Sequence, residues 1–244
     1  MFDLVDEFRH QPEPDTGWTE AWHFEVVAPD LSYGLYARLT FADARAWWWS
    51  VIVRADEPML SVRDQSLDLP RGYEVRGDGL WADLTCHDAM ARWQVNFEGF
   101  AVALDDPRDA YGHERGVRTP VEFEFDWEAV SPATPIDGVQ GYGQRCRVSG
   151  DATIVGAEEL SLEGAAGYRT HTWGARDAAR RWVACEDAVT YDDDAIEGLV
   201  IQPVLVGGVL VESEAGTRRL ERAASQIIEA TGASRLAWVE WFGF

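Results

Sequence analysis

A chain of 244 residues that is 46% hydrophobic and carries a net charge of −22 is too apolar for a disordered segment, and its acidity repels nucleic acid and anionic membrane. All 21 basic residues are arginines, and twelve tryptophans supply large rings for a core, an interface or an apolar ligand room. Cys86, Cys146 and Cys185 are odd in number and far apart, which argues against a disulfide framework.

The opening "MFDLVDEFRHQPEPD" is acidic and lacks the basic start and apolar run of a signal peptide. No stretch is apolar for the length of a membrane span. The expectation is a reduced, cytoplasmic protein without stable membrane insertion. Residues 1–17 read as an N-terminal arm.

From there, period-two patterning dominates. "YGLYARLTF" reads as a strand. "AWWWSVIV", residues 46–53, is apolar on both faces, so a strand there must be covered on both sides. "YEVRGDGLWADLTC" reads as a hairpin turning at Gly77-Asp78-Gly79. In "RWQVNFEGFAV", Trp93, Val95 and Phe97 alternate with Gln94, Asn96 and Glu98. In "PVEFEFDWEAV", Val121, Phe123, Phe125 and Trp127 alternate with acids. "YGQRCRVSGDATIV" reads as strand or hairpin, with turn chemistry at Gly150-Asp151.

"GYRTHTWGARD", residues 167–177, gathers chemistry into one segment. Strand alternation puts Arg169, His171 and Trp173 on one face and Tyr168, Thr170 and Thr172 on the other. If the first face looks into a cavity, His171 can act as acid or base near neutral pH. Otherwise it bonds a neighbouring carbonyl, and Arg176 and Asp177 staple a turn.

Beyond it, Asp192-Asp193-Asp194 marks the most plausible internal boundary. This divides a β region over 18–190 from a shorter one over 191–244. "GLVIQPVLVGGVLV" predicts two strands joined at Gly207-Gly208. Leu220, Ala223, Ala224, Ile227 and Ile228 follow helical spacing and predict a short helix over about 217–231, capped by Thr217 and ended by Gly232. "SRLAWVEWFGF" reads as a last strand.

Motifs for phosphate, dinucleotide and hydrolase chemistry are lacking, and the five histidines have no metal-ligand spacing. No cofactor and no metal are expected, and the expected partner is a hydrophobic small molecule.

The 167–177 segment resembles the G-x-R-D-H-S-W-G-x-R-D-W signature of bacterial lipocalin-like proteins related to carotenoid 1,2-hydratases (hydroxyneurosporene synthases) and AttH-like proteins. The upstream order of "EAWHFEVV", "YGLYARLTF", "WWWSVIV", "GDGLWADLTC", "ARWQVNFEGFAVAL" and "PVEFEFDWEAVSP" also fits. The resemblance covers roughly residues 18–190. It implies two packed antiparallel barrels or half-barrels around an apolar cavity. It further implies an enzyme that hydrates, cyclises or isomerises an isoprenoid or polyketide-like substrate. His171, Trp173, Gly174, Arg176 and Asp177 fall on the motif. Thr170 stands where the signature has Asp, and Ala178 where it has Trp.

Hydration needs a proton source and shielding for a cation. Asp83 and Glu98 are candidate acids, with the solvated strand face as the plainer reading. Trp47, Trp48, Trp49, Trp93 and Trp173 are candidate ring walls, with core packing as the plainer reading. Cyclisation asks only for a polarising bond from Arg169 or His171. A lipid or terpenoid carrier needs the same room without the chemistry.

Overall fold

The computed structural model describes residues 2–13, 17–30, 32–42, 44–54, 57–105, 115–136, 139–157, 159–175, 182–185, 188–190, 200–212, 218–228 and 234–243, with side chains as far as Gly174. Among the described residues, a 3-10 turn, η1 (Leu4–Glu7), precedes sixteen strands. The first eleven are β1 (Trp18–Val27), β2 (Tyr33–Ala42), β3 (Arg45–Arg54), β4 (Met59–Asp68), β5 (Glu74–Gly77), β6 (Leu80–Asp88), β7 (Arg92–Leu104), β8 (Val117–Ala129), β9 (Thr134–Pro135), β10 (Gln140–Ile154) and β11 (Leu160–Ala175). They form one antiparallel sheet.

This sheet closes on itself. The order β4-β3-β2-β1-β11-β10-β8-β7 is completed by pairing of β4 with β7, from Met59↔Leu104 to Ser61↔Val102. Closure removes the edges that an open sheet would expose. The β5–β6 hairpin extends the sheet along the first half of β7 and turns at Asp78-Gly79, where Gly79 has φ +72°. A left-handed turn position of this kind favours glycine, as the sequence predicts.

Eight strands leave an interior that side chains can fill. Here rings fill it. Trp48 stacks on Phe97 at 5.9 Å, and Phe97 on Phe123 at 5.1 Å. The series continues through Phe125, Trp127, Phe24, Trp93 and Tyr73 to Trp22. The expected apolar cavity at the barrel centre is therefore corrected. Among the described residues, the inward faces that period-two alternation supplies are occupied by aromatic packing.

The second sheet, also antiparallel, runs in the order β13-β12-β16-β15-β14. Its strands are β12 (Trp182–Cys185), β13 (Ala188–Thr190), β14 (Val200–Glu212), β15 (Arg218–Ile228) and β16 (Ser234–Gly243). Since β12 and β13 belong to it, the change of sheet falls before residue 190. The backbone of β14 approaches β3 and β4, and that of β16 approaches β1.

Three sequence expectations change. The segment expected as a helix over 217–231 is strand β15 across its described residues, paired with β14 on one side and β16 on the other. Ladders on both edges outweigh a helical apolar spacing, because propensity and pattern are weak beside tertiary pairing. "GLVIQPVLVGGVLV" contains one strand, with a register shift between Val206 and Val209 in place of a Gly-Gly turn. Gly150-Asp151 lies within continuous β10, at a register shift where Gly150 has φ +146° and any side chain would run into the Glu124 carbonyl. That close strand approach, rather than a turn, is what requires glycine there.

β3 is buried on both faces, as its sequence predicts. Trp48 and Ile52 point into the barrel core, while Trp47, Trp49, Val51 and Val53 form a separate outer cluster. Among the described residues no helix is long and apolar enough to cross a membrane.

Candidate functional site

Two polar clusters stand out, one at an end of the barrel and one on its outer face. The register pairs Trp22 with His171, Phe24 with Arg169 and Glu20 with Trp173. The face that alternation assigns to Arg169, His171 and Trp173 thus looks inward, and Glu20 joins it.

The N-terminal arm meets these residues. Glu7 is wholly buried and accepts hydrogen bonds from Arg169 Nη1 at 2.7 Å and Nη2 at 2.9 Å, from Tyr142 Oη at 2.7 Å and from Trp93 Nε1 at 2.8 Å. The backbone N–H of Met90 also donates to it, and Arg169 donates to Gln144 Oε1. Burial pushes the Glu7 carboxyl up. The bonds and charge of Arg169, with Tyr142 and Trp93, outweigh this and hold it below the usual carboxylate range. Burial likewise opposes the guanidinium's charge, and Glu7 more than restores it.

Beside this pair, His171 is fully buried, with Nδ1 2.9 Å from the Asp6 carbonyl oxygen and Nε2 2.9 Å from Glu20 Oε1. Burial pushes its imidazolium below the ordinary histidine range, and the Glu20 carboxylate opposes that only in part. Trp22 stacks on the ring at 4.3 Å. His10 places Nδ1 2.7 Å from Glu20 Oε1 and stacks on Trp173 at 4.0 Å. Arm and barrel end are thus joined by buried charge and stacked rings.

The second cluster occupies the outer faces of β1, β2, β3 and β11. His23 and Glu25 sit two residues apart on β1 and therefore share a face. They are 4% and 2% exposed, although they point away from the barrel interior. His23 Nε2 lies 2.8 Å from Glu25 Oε2. Tyr36 and Trp49 are buried beside them, Thr170 is the direct partner of His23, and the Arg38 guanidinium lies 5.4 Å over the Trp49 ring. Two of the strands that carry it, β1 and β3, are also ones whose backbone the second sheet approaches.

The sequence-predicted residues are distributed as follows. His171, Arg169, Trp173 and Trp93 gather at the arm-sealed end. Trp47 and Trp49 belong to the outer cluster, while Trp48 is in the barrel core. Asp83 is half-buried on β6 and accepts a 2.6 Å bond from Thr85, and Glu98 is exposed on β7. Both alternate with core residues, so neither meets His171. Arg176 and Asp177 lie outside the described residues. Sequence reasoning missed Glu7, Glu20, His10, His23 and Glu25. An inward arginine does demand a buried counter-charge, but the sequence offers many acids. The i, i+2 spacing of His23 and Glu25 reads equally well as a solvated face.

No curated protein matches the chain in sequence. Among solved structures it is similar to CghA with Sch210972, at 10% identity, 93% coverage of this chain, 88% of that chain and a TM-score of 0.51. It is also similar to kievitone hydratase from Nectria haematococca, at 10% identity, 99% and 92% coverage and a TM-score of 0.52. At that identity the likeness is one of fold, and it agrees with the lipocalin-like architecture expected from the 167–177 segment. The narrower link to AttH-like proteins remains a resemblance of that segment. A family model described as "Domain of unknown function (DUF7064)" matches residues 3–224, nearly the whole chain, and on that match the chain belongs to the DUF7064 family.

Proposed function

We propose that this chain is an enzyme of the hydratase, cyclase or isomerase type, acting on an apolar isoprenoid or polyketide-like small molecule. In this reading the reacting atoms meet the outer face of the barrel around His23 and Glu25. The observation that carries it is that dyad, 2.8 Å apart and almost fully buried on the outside of a closed barrel.

A sheet face covered for packing alone is apolar, because buried polar groups are costly unless bonded. An imidazole held by a carboxylate can deliver or take a proton at carbon or oxygen. Indole faces such as Trp49 stabilise a developing cation by about 0.5–2 kcal/mol each. A carrier needs apolar lining without an acid–base pair, so the dyad favours the enzyme. The likeness in fold to kievitone hydratase supports the same class.

The test begins with native mass spectrometry of the purified chain for a co-purified apolar molecule. That molecule is then incubated with fresh protein. Gain of one water marks hydration; an isobaric product marks cyclisation or isomerisation. His23→Ala is expected to slow turnover by roughly 100- to 10,000-fold while the ligand still binds. Return of the molecule unchanged by the unaltered protein overturns the proposal.

A further inference from the structure

At the sealed end of the barrel, His171 faces two acceptors. Its Nδ1 lies 2.9 Å from the Asp6 carbonyl oxygen, which calls for a proton on Nδ1. Nε2 of that tautomer carries a lone pair, and it points at Glu20 Oε1, another acceptor, at 2.9 Å. The other tautomer only moves the mismatch to the carbonyl. His10 Nδ1 lies 2.7 Å from the same carboxylate oxygen. A positive charge between these atoms, a metal ion or a second ring proton, resolves the mismatch.

We propose that His10, Glu20 and His171 bind one divalent transition-metal ion, zinc foremost, and that the ion locks the arm onto the barrel. Their ligand atoms lie within 4.8 Å of one another and form an N2O donor set. Bond lengths of about 2.0–2.2 Å place tetrahedral ligands roughly 3.4 Å apart, so the two N···O separations, 2.9 and 2.7 Å, open by about half an ångström or a little more, while the two nitrogens stay within the 4.8 Å span of the set or draw in.

The surroundings are those of a metal site. His171 gives its other nitrogen to a backbone carbonyl, and His10 Nε2 lies 3.8 Å from Asp6 Oδ1. Trp22 and Trp173 fix the two ring planes by stacking. The His10 side chain is 23% exposed, which supplies an entry path and an open coordination position. The separations in sequence, 10 and 151 residues from Glu20, hide the set from any spacing rule.

The experiment uses the full chain without a histidine tag, stripped with a chelator and titrated with Zn²⁺ by calorimetry and with Co²⁺ by visible absorption. The expected result is one equivalent of Zn²⁺, a raised melting temperature and four- or five-coordinate Co²⁺ bands. His10→Ala and Glu20→Gln are each expected to weaken Zn²⁺ binding by about 100-fold or more, while His87→Ala, exposed on β6, leaves it unchanged. Far-UV circular dichroism checks that each variant folds, and the Co²⁺ spectrum of the unaltered chain decides if one does not. Absence of binding, binding that His10→Ala leaves intact, or Co²⁺ bands of the six-coordinate aquo ion overturn the proposal.

Discussion

Glu7 and Arg169 stand 162 residues apart in sequence and meet through two hydrogen bonds, at 2.7 and 2.9 Å, with both side chains almost fully buried. One comes from the 3-10 turn of the arm and the other from the inward face of β11. Neither can be buried alone, so the pair ties the chain's first residues to the strand that completes the barrel.

Glu7→Ala leaves a buried guanidinium without its counter-charge. The expected cost is about 3–5 kcal/mol, read as a lower urea midpoint. A Glu7→Leu/Arg169→Met double variant removes both charges and is expected to recover most of that loss.

Acid weakens the same pair. The folded-state Glu7 carboxyl titrates below its ordinary value of 4.5, so the unfolded chain binds the proton more readily. The stability it contributes is complete above that ordinary value and is lost as pH falls through it and then through the folded value. Arg169 stays charged throughout. Tyr142, Cys86 and Cys146 also surround the carboxylate, and burial pushes all three up, so they stay neutral in this window. Urea midpoints measured from pH 6 down to pH 3 are expected to fall more steeply for the unaltered chain than for Glu7→Gln.

Gly150→Ala drives a methyl group into the Glu124 carbonyl at φ +146°. The neighbour is backbone of β8, so a whole strand has to give. A loss of at least about 1–3 kcal/mol is expected. Gly156→Ala, with a positive φ but open space around its Cβ, separates conformational strain from the steric clash, and is expected to lose less.

Asp83→Ala and Glu98→Ala probe the acids that strand composition suggested. Both lie on the outward side of their strands, away from His171. Each is expected to change stability by no more than about 0.5 kcal/mol and to leave turnover as it was. Trp48→Ala, in the core, is expected to cost roughly 3–5 kcal/mol.

Far-UV circular dichroism checks the second sheet. With β15 a strand, the spectrum is expected to lack the double minimum of a helix.

Alternation by itself determined most of the barrel. "PVEFEFDWEAV" and "RWQVNFEGFAV" state their inward and outward faces residue by residue, because a strand's side chains change sides at every step. The same rule put Arg169, His171 and Trp173 on one shared face. It was silent on three things that only tertiary structure decided. Pairing on two edges made residues 218–228 a strand despite helical spacing. The arm's return to the barrel end chose Glu7 and Glu20, among many acids, as partners for Arg169 and His171. Folding made His23 and Glu25, on a nominally solvated face, a buried pair. Sequence period reports which side of a strand a residue takes; what covers that side is settled by chain segments far away, through contacts that leave no local pattern.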